Sequence, residues 1–591
     1  MPTTEASNDT LPRLNGTFKR ITSAWALLLV PLMAILPYLP SLSYGFVYDD
    51  DVQVLRMPYI RPWHHVPGYF LRPIPGFSAR YYRPIFFLWM RLNHFLFGIH
   101  PLGWHLSNLV LHAFASFLVF AVLRRYFQRP YSAAVGALIF ALHPAHVETV
   151  AWVSGSTDAL MTASLLASLW LWMRSLEAPS SLRRSASLAC CALALMTKET
   201  GVILPALIFF HSLGRSSAES WLPKDRGGRT WFAMRETAPY LFVTALYLGV
   251  RFWVLRGVSG GVPEWITPRE ALLTIPPVVL FYLRHLLWPL NLSLCYDLSI
   301  VTRVDSHLFW IPSILLAAGA AAVSVWLGRT RDMRNLLSVV WLLLPLAPVL
   351  YIRAFAQDDF IHDRYLYLPV LGIAVAAGML GEFLGKSKEG EKKPGLLLAA
   401  LGAGFTVLAL ATAAQERPWK NNLLLYSNAV KVAPNNLLAK NNLAREYVPQ
   451  GRFVEAGEMF KAIIEKRPEM WLANYNYGFV NYRTGDLALA ENYFRRAIQI
   501  NPNDPDEHVY LGATYLKQGR LAEASEQVRE GIARKPDGTG YHFLLGIIEL
   551  QLGNLEPARD QMLEELKYHP ENSIVREEIQ QLDKQLRSTP H

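Results

Sequence analysis

Before residue 414 the chain is built from twelve apolar blocks separated by short charged loops. They fall near residues 21–44, 104–123, 132–147, 157–173, 185–197, 201–214, 237–255, 272–289, 309–328, 336–352, 366–385 and 395–413. The first is long enough to cross a bilayer as a helix. Backbone in hydrocarbon must satisfy its own hydrogen bonds, so a chain of this kind folds there as a helix bundle. Hydrophobic residues make up 52% of the 591 positions and charged ones only 18%, a membrane-like balance. Beyond about residue 414 the sequence turns polar and reads as a separate soluble domain.

The net charge of +10 does not mark a nucleic-acid surface, because the basic residues sit in short loops between apolar blocks. Lys19 and Arg20 precede the first block, and Arg124, Arg125 and Arg129 follow the second. Arg174, Arg183 and Arg184 come next, then Arg215, Lys224, Arg226, Arg229 and Arg235. Arg329, Arg331 and Arg334 follow, and last Lys386, Lys388, Lys392 and Lys393. Basic loops face the cytoplasm. All of these do so only if the block 272–289, with Pro276, Pro277, Arg284 and His285, lies at the interface instead of crossing. The expectation is about eleven crossings: a cytoplasmic tail over 1–20, a membrane domain over 21–414 with an outer first loop 45–103, and an outer domain over 415–591. No signal-cleavage pattern precedes the first block, which is expected to stay as an anchor. Cys190, Cys191 and Cys295 offer neither a disulfide framework nor metal-ligand spacing.

The tail carries an internal repeat. Pro434, Pro468, Pro502, Pro536 and Pro570 recur every 34 residues. Ala444, Gly478, Gly512 and Gly546 keep the same step, as do Gly451, Gly485, Gly519 and Gly553, and Ala456, Ala490, Ala524 and Ala558. This resembles the tetratricopeptide repeat, a helix–turn–helix unit with small residues where helices touch. Stacked units form an α-solenoid with a concave face suited to an extended peptide. By register, Asn441, Arg445, Tyr475, Phe479 and Tyr482 are expected to line that groove.

On the assigned topology, every unusual polar cluster falls on the outer face. The first loop holds Asp49, Asp50 and Asp51. Adjacent carboxylates repel, so one can hold a proton more tightly than a free aspartate, which suits a general base. His105, Asn108 and His112 share one helical face. His143, His146 and Glu148 precede Asp158, and together His, Glu and Asp could bind a divalent cation, although the spacing matches no zinc motif. Lys198 and Glu199 end another block. The last outer loop runs from Asp358 through Arg364 and Tyr365, and an arginine fork beside aromatics suits a phosphate headgroup.

In order along the chain come Phe46-Val47-Tyr48-Asp49-Asp50, Tyr82-Arg83-Pro84 and Leu92-Asn93. Then follow His143-Pro144-x-His146-x-Glu148, Gly155-x-x-Asp158, Lys198-Glu199 and Arg364-Tyr365-Leu366-Tyr367-Leu368-Pro369. With the repeats behind them, these resemble the transmembrane and tetratricopeptide-repeat O-mannosyltransferases over almost the whole chain. That family is of the C-type glycosyltransferases, so the resemblance implies a sugar taken from a polyprenyl-phosphate donor. It places the catalytic acid at Asp49 or Asp50; Asp51 stands where the family more often has serine. The few tail repeats and the lack of an ER-retrieval ending point to a bacterial relative, with the repeats in the periplasm; a eukaryotic one would hold them in the ER lumen.

The expected enzyme moves mannose or another hexose to Ser/Thr of proteins held by the repeats, with inversion. Arg364, Lys198, Glu199 and Tyr365 would hold the donor. Asp51, Arg83, His105, His146, Glu148 and Asp158 would position the sugar or the base. No phosphate-cradling Gly loop suggests a nucleotide sugar. The alternatives are a non-catalytic scaffold and a lipid-linked oligosaccharide ligase or polymerase; a transporter is disfavoured, since no paired inverted halves are seen.

Overall fold

The computed structural model describes residues 25–74, 81–214, 225–256, 265–330, 332–384 and 394–588. The expected cytoplasmic tail 1–20 and several basic positions, among them Arg215, Lys224, Arg331 and Lys386–Lys393, lie outside them. Among the described residues the secondary structure is helical, with one isolated antiparallel bridge between Ala356 and Asp359.

Among the described residues eight helices are long and apolar enough to cross a membrane: Trp25–Ser43, Pro101–Tyr126, Val153–Glu177, Gly227–Leu255, Pro268–Leu287, His307–Thr330, Met333–Leu350 and Leu398–Lys420. The bent pair Pro130–Leu142 and Pro144–Ala151 would make a ninth. The expected eleven would need two shorter apolar helices to cross as well. Glu199–Leu213 and Val370–Phe383 are shorter apolar helices, and Ser181–Thr197 carries Arg183 and Arg184 in its first turn. Pro268–Leu287, expected to lie at the interface, passes on length and composition. Yet its contacts at both ends are with the late loop and its surroundings. Trp265 just before it donates to Phe355 O at 2.7 Å, and the Tyr282 hydroxyl meets His362 N at 3.4 Å.

The bundle is sorted end from end. At one end Arg125 pairs with Glu177 at 2.9 Å, Arg184 with Glu236 at 2.5 Å, and Arg334 with Glu382. At the other end gather the loops that carry Asp49, Asp158, Lys198 and Arg364. Close helix contacts depend on glycine. A Cβ on Gly136 would come within 2.4 Å of Ala374 O, and one on Gly372 within 2.6 Å of Ser338 O. Small residues of this kind let membrane helices approach along their backbones.

The chain divides into two compact units, at Ala433 and Pro434, later than the expected boundary at 414. The reason is that residues 416–432 pack on the first unit. Glu416 accepts from the Tyr44 hydroxyl at 3.4 Å, Trp419 stacks on Trp152 at 6.3 Å, and Asn428 donates to Leu292 O at 3.0 Å.

In the second unit the 34-residue period becomes four helix pairs, from Leu437–Tyr447 with Phe453–Lys466 to Tyr541–Gln551 with Leu555–Tyr568. Gly451, Gly485, Gly519 and Gly553 all adopt positive φ at the turn inside each pair, a conformation open to glycine without a Cβ penalty. Gly512 faces Val528, where a Cβ would fall at 2.6 Å.

Candidate functional site

The first loop is anchored by residues 420–422. Gly45 N donates to Lys420 O at 3.3 Å, and Tyr48 N to Asn422 Oδ1 at 2.8 Å. Tyr48 takes a left-handed φ of 56°, a conformation that costs a non-glycine residue energy and persists where surroundings impose it. The three aspartates then diverge. Asp50 is fully buried and accepts from Ser154 N at 3.0 Å, Ser154 Oγ at 2.6 Å and Val47 N at 3.1 Å. Burial pushes it up to about 7 against those donors. Asp51 turns outward to Arg56 at 2.8 Å. Asp49 is half-buried, and Gln53 Nε2 donates to it at 3.3 Å. Burial raises it, with the nearby Arg364 charge pulling the other way.

Three ion pairs gather at the same end of the bundle. Lys198 Nζ lies 2.6 and 2.7 Å from the Asp158 oxygens. Arg83 meets Glu199 Oε2 through Nε at 3.0 Å and a terminal nitrogen at 2.8 Å. Arg364 binds Glu148 through its guanidinium at 2.5 Å and its main-chain N at 3.1 Å. Lys198 is drawn below its ordinary value by burial and by the Arg83 and Arg364 charges, with Asp158 opposing. Aromatic faces complete the lining: Lys198 stands 4.9 Å from the Tyr365 ring, and Arg364 5.3 Å from both Trp152 and Tyr365. A cation over a ring gains from its quadrupole.

The late loop closes the mouth. Asp358 is left-handed, with φ 66°. Asp359 follows, its Oδ2 3.5 Å from the Tyr48 hydroxyl. His362 is buried between Asp359 and Glu148, at 3.5 and 3.6 Å. Asp363 accepts from the Tyr296 hydroxyl at 2.5 Å and Ser293 N at 3.2 Å.

The fold thus gathers Asp49, Arg83, Glu148, Asp158, Lys198, Glu199, Arg364 and Tyr365. It does not bring His105 and His146 to the mouth. His105 is buried against Tyr44, and His146 packs on Phe140 at 4.6 Å and Tyr367 at 4.4 Å. Both lie in a polar seam between helices. There Asn108 donates to Trp152 O at 2.9 Å, and His112 meets the Tyr367 hydroxyl at 2.8 Å. The cation set suggested by His146, Glu148 and Asp158 is not formed: Glu148 is committed to Arg364 and Asp158 to Lys198. Among the described residues no three His, Cys, Asp or Glu side chains converge on a metal position.

Ser154, which fixes Asp50, was not singled out from sequence, nor were Trp152 and the roles of Asp359 and His362. Only the Asp359 charge beside an apolar block signalled itself. In the repeats, Asn441 is buried and accepts from Asn476 Nδ2 at 3.0 Å, so it joins two helices instead of facing a peptide. Tyr475, Phe479 and Tyr482 surround Tyr510 at 5.9, 5.1 and 6.1 Å, and Arg445 is exposed.

A polytopic helical membrane protein, with a buried network of paired charges at one end of its bundle and tetratricopeptide repeats following in sequence, is the class defined here. Residues 82–225 match the family described as dolichyl-phosphate-mannose-protein mannosyltransferase, and residues 441–505 and 482–546 match tetratricopeptide-repeat families. Protein O-mannosyl-transferase Tmtc1 of Drosophila melanogaster is 24% identical over 534 residues, 75% of this chain and 62% of that one. Protein O-mannosyl-transferase TMTC4 of Homo sapiens is 25% identical over 482 residues, 72% and 64% of the two chains. The chain is thus similar to protein O-mannosyl-transferases over about three quarters of its own length, while spanning less than two thirds of the length of these relatives.

Proposed function

We propose that this protein is a membrane glycosyltransferase that moves mannose or another hexose from a polyprenyl-phosphate donor to Ser or Thr hydroxyls of a polypeptide. The observation that carries this is a half-buried carboxylate, Asp49, close enough to feel the Arg364 charge, with Lys198 and Arg364 both standing over the Tyr365 ring. Asp49 is the base in this reading, because all the acceptor capacity of Asp50 turned inward serves Ser154 and Val47. The acceptor oxygen attacks the anomeric carbon and its proton passes to Asp49. The bond from that carbon to the phosphate oxygen breaks, the electron pair leaves with the phosphate, and the configuration inverts. Arg364 and Lys198 stabilise the departing charge, with Arg83 extending the positive wall. Phosphate oxygens would take over guanidinium donors now used by Glu148, which is how a buried pair becomes a binding group.

The mouth belongs to the outer side of the membrane, periplasmic in a bacterium or luminal in the ER. Leu398–Lys420 ends beside the Asp49 loop, and Pro434 follows shortly after; this supports the repeats emerging on the same side. There they would hold the acceptor polypeptide and raise its concentration at the mouth. The test uses purified protein with polyprenyl-phosphate mannose and a Ser/Thr-rich peptide, read by intact mass. A hexose-sized gain that Asp49→Asn reduces by about 10²–10⁴-fold is expected. No gain with any polyprenyl-phosphate hexose would overturn the reading and favour a non-catalytic scaffold.

A further inference from the structure

Counting charges at the mouth leaves a remainder. Arg364, Lys198 and Arg83 are each matched by one carboxylate, on Glu148, Asp158 and Glu199. Asp50 and Asp363 are held by hydrogen-bond donors. Asp49 and Asp359 are left over, and among the described residues neither is ion-paired with lysine or arginine. Two loops far apart in sequence bring them together, since the hydroxyl of Tyr48, the residue before Asp49, reaches Asp359. Each is preceded by a left-handed non-glycine residue, Tyr48 and Asp358, so both carboxylates leave a backbone the fold has forced.

Asp359 has a second peculiarity. Its Oδ1 is enclosed without a hydrogen-bond partner, because the His362 ring lies closer to the main-chain oxygen, with Nε2 at 3.2 Å from Asp359 O. A buried carboxylate oxygen with no donor is costly; the same oxygen carrying a proton is less so.

We propose that Asp359 is a positioning residue for the base, keeping a proton in the working state so that the Asp49–Asp359 pair carries one negative charge, on Asp49. This rests on the glycosyl-transfer reading above. The groups that face Asp359 are Tyr48 and Asp49 from the first loop, Glu148 from the turn after Pro130–Leu142, Cys295, and His362 and Arg364 from its own loop. Burial raises Asp359 to about 7, with Arg364 opposing and Asp49 and Glu148 adding to the rise. His362 is driven below its ordinary value by burial and by Arg364, so it supplies no cation to neutralise the pair. As pH rises through that range Asp359 ionises. A second negative charge then stands at a mouth that must admit an anionic phosphodiester.

Two measurements on the full-length protein test this. Infrared difference spectra between about pH 5 and about pH 9 need no activity. A protonated-carboxyl band is expected to weaken near neutrality in the wild type, where Asp50 contributes as well, and the change is expected to be smaller by one carboxyl in Asp359→Asn. Second, wild-type kcat/KM for the lipid donor is expected to fall about tenfold per pH unit on the alkaline side. Asp359→Ala slows turnover by about a hundredfold, and Asp359→Asn, a neutral donor of the same shape, recovers about tenfold of that and removes the alkaline fall. The proposal is overturned if the band change is undiminished in Asp359→Asn or if the wild type shows neither band nor alkaline fall. It is also overturned if Mn²⁺ removes the wild-type band, which would make the pair a cation site. Should the band behave as expected in a protein that transfers no sugar, the glycosyl-transfer reading fails and the shared proton stands.

Discussion

At the scale of single residues, two neighbouring aspartates have opposite fates. Asp50 faces inward and organises the loop; Asp49 is half-buried and feels the Arg364 charge. Asp50→Ala would leave Ser154 N and Val47 N without acceptors, at about 1–3 kcal/mol for each buried group left unpaired. Thermal unfolding in detergent should show this as a lower melting temperature. Asp50 also gives stability a pH dependence. Its folded value is raised from the ordinary 3.8 to about 7, so the folded protein binds that proton more tightly than the unfolded chain. The resulting stabilisation is fully present below 3.8 and is lost as pH rises through about 7. A melting temperature for the first unit that does not fall across that window would contradict the assignment. That charged residues cluster at one face was legible in the sequence, because charges beside apolar blocks are expensive and seldom idle. Which carboxylate meets which cation was not, since Glu148 and Arg364 are joined only by folding. The histidines misled for a related reason: a periodic polar face serves a helix–helix seam as readily as a substrate.

At the scale of elements, the bundle depends on close approach of helices that the apolar blocks alone do not specify. Gly372 packs on the helix Met333–Leu343, where an added Cβ would also lie 2.7 Å from Leu342 Cβ. Gly372→Ala should therefore cost about 1–3 kcal/mol. Gly402, with nothing within 4 Å of its Cβ position, makes the matched control, and Gly402→Ala should leave the melting temperature nearly unchanged. Equal losses would mean that glycine acts through chain flexibility and not through packing. The repeats were the most legible part of the chain, because each 34-residue step reuses one set of contacts. The crossings were less so: short helices surrounded by protein need not be as long as the lipid is thick, so block length alone does not decide which of the shorter ones cross.

At the scale of the whole molecule, the proposed chemistry needs the mouth and the repeats in one aqueous compartment. In a variant with Cys190, Cys191 and Cys295 replaced, single cysteines at Trp63 in the first loop and Asn503 in the repeats should react with an impermeant maleimide from the same side. One at Leu182, at the arginine end, should react from the other. Labelling of Asn503→Cys together with Leu182→Cys would separate the repeats from the proposed catalysis. The sequence placed the soluble domain's start at residue 415, but composition is blind to what a polar segment leans on. Residues 416–432 are polar enough to pass as repeat, and still they belong to the first unit.

That segment works as a strap across the Asp49 loop: Lys420 and Asn422 hold its main chain, and Trp419 lies on Trp152. Anyone trimming the protein to its membrane half meets the consequence at once. A version ending after Ala433 should still glycosylate a short free peptide, whereas one ending at Ala414 should be folded but mute, its tether to the nucleophile-activating loop cut away.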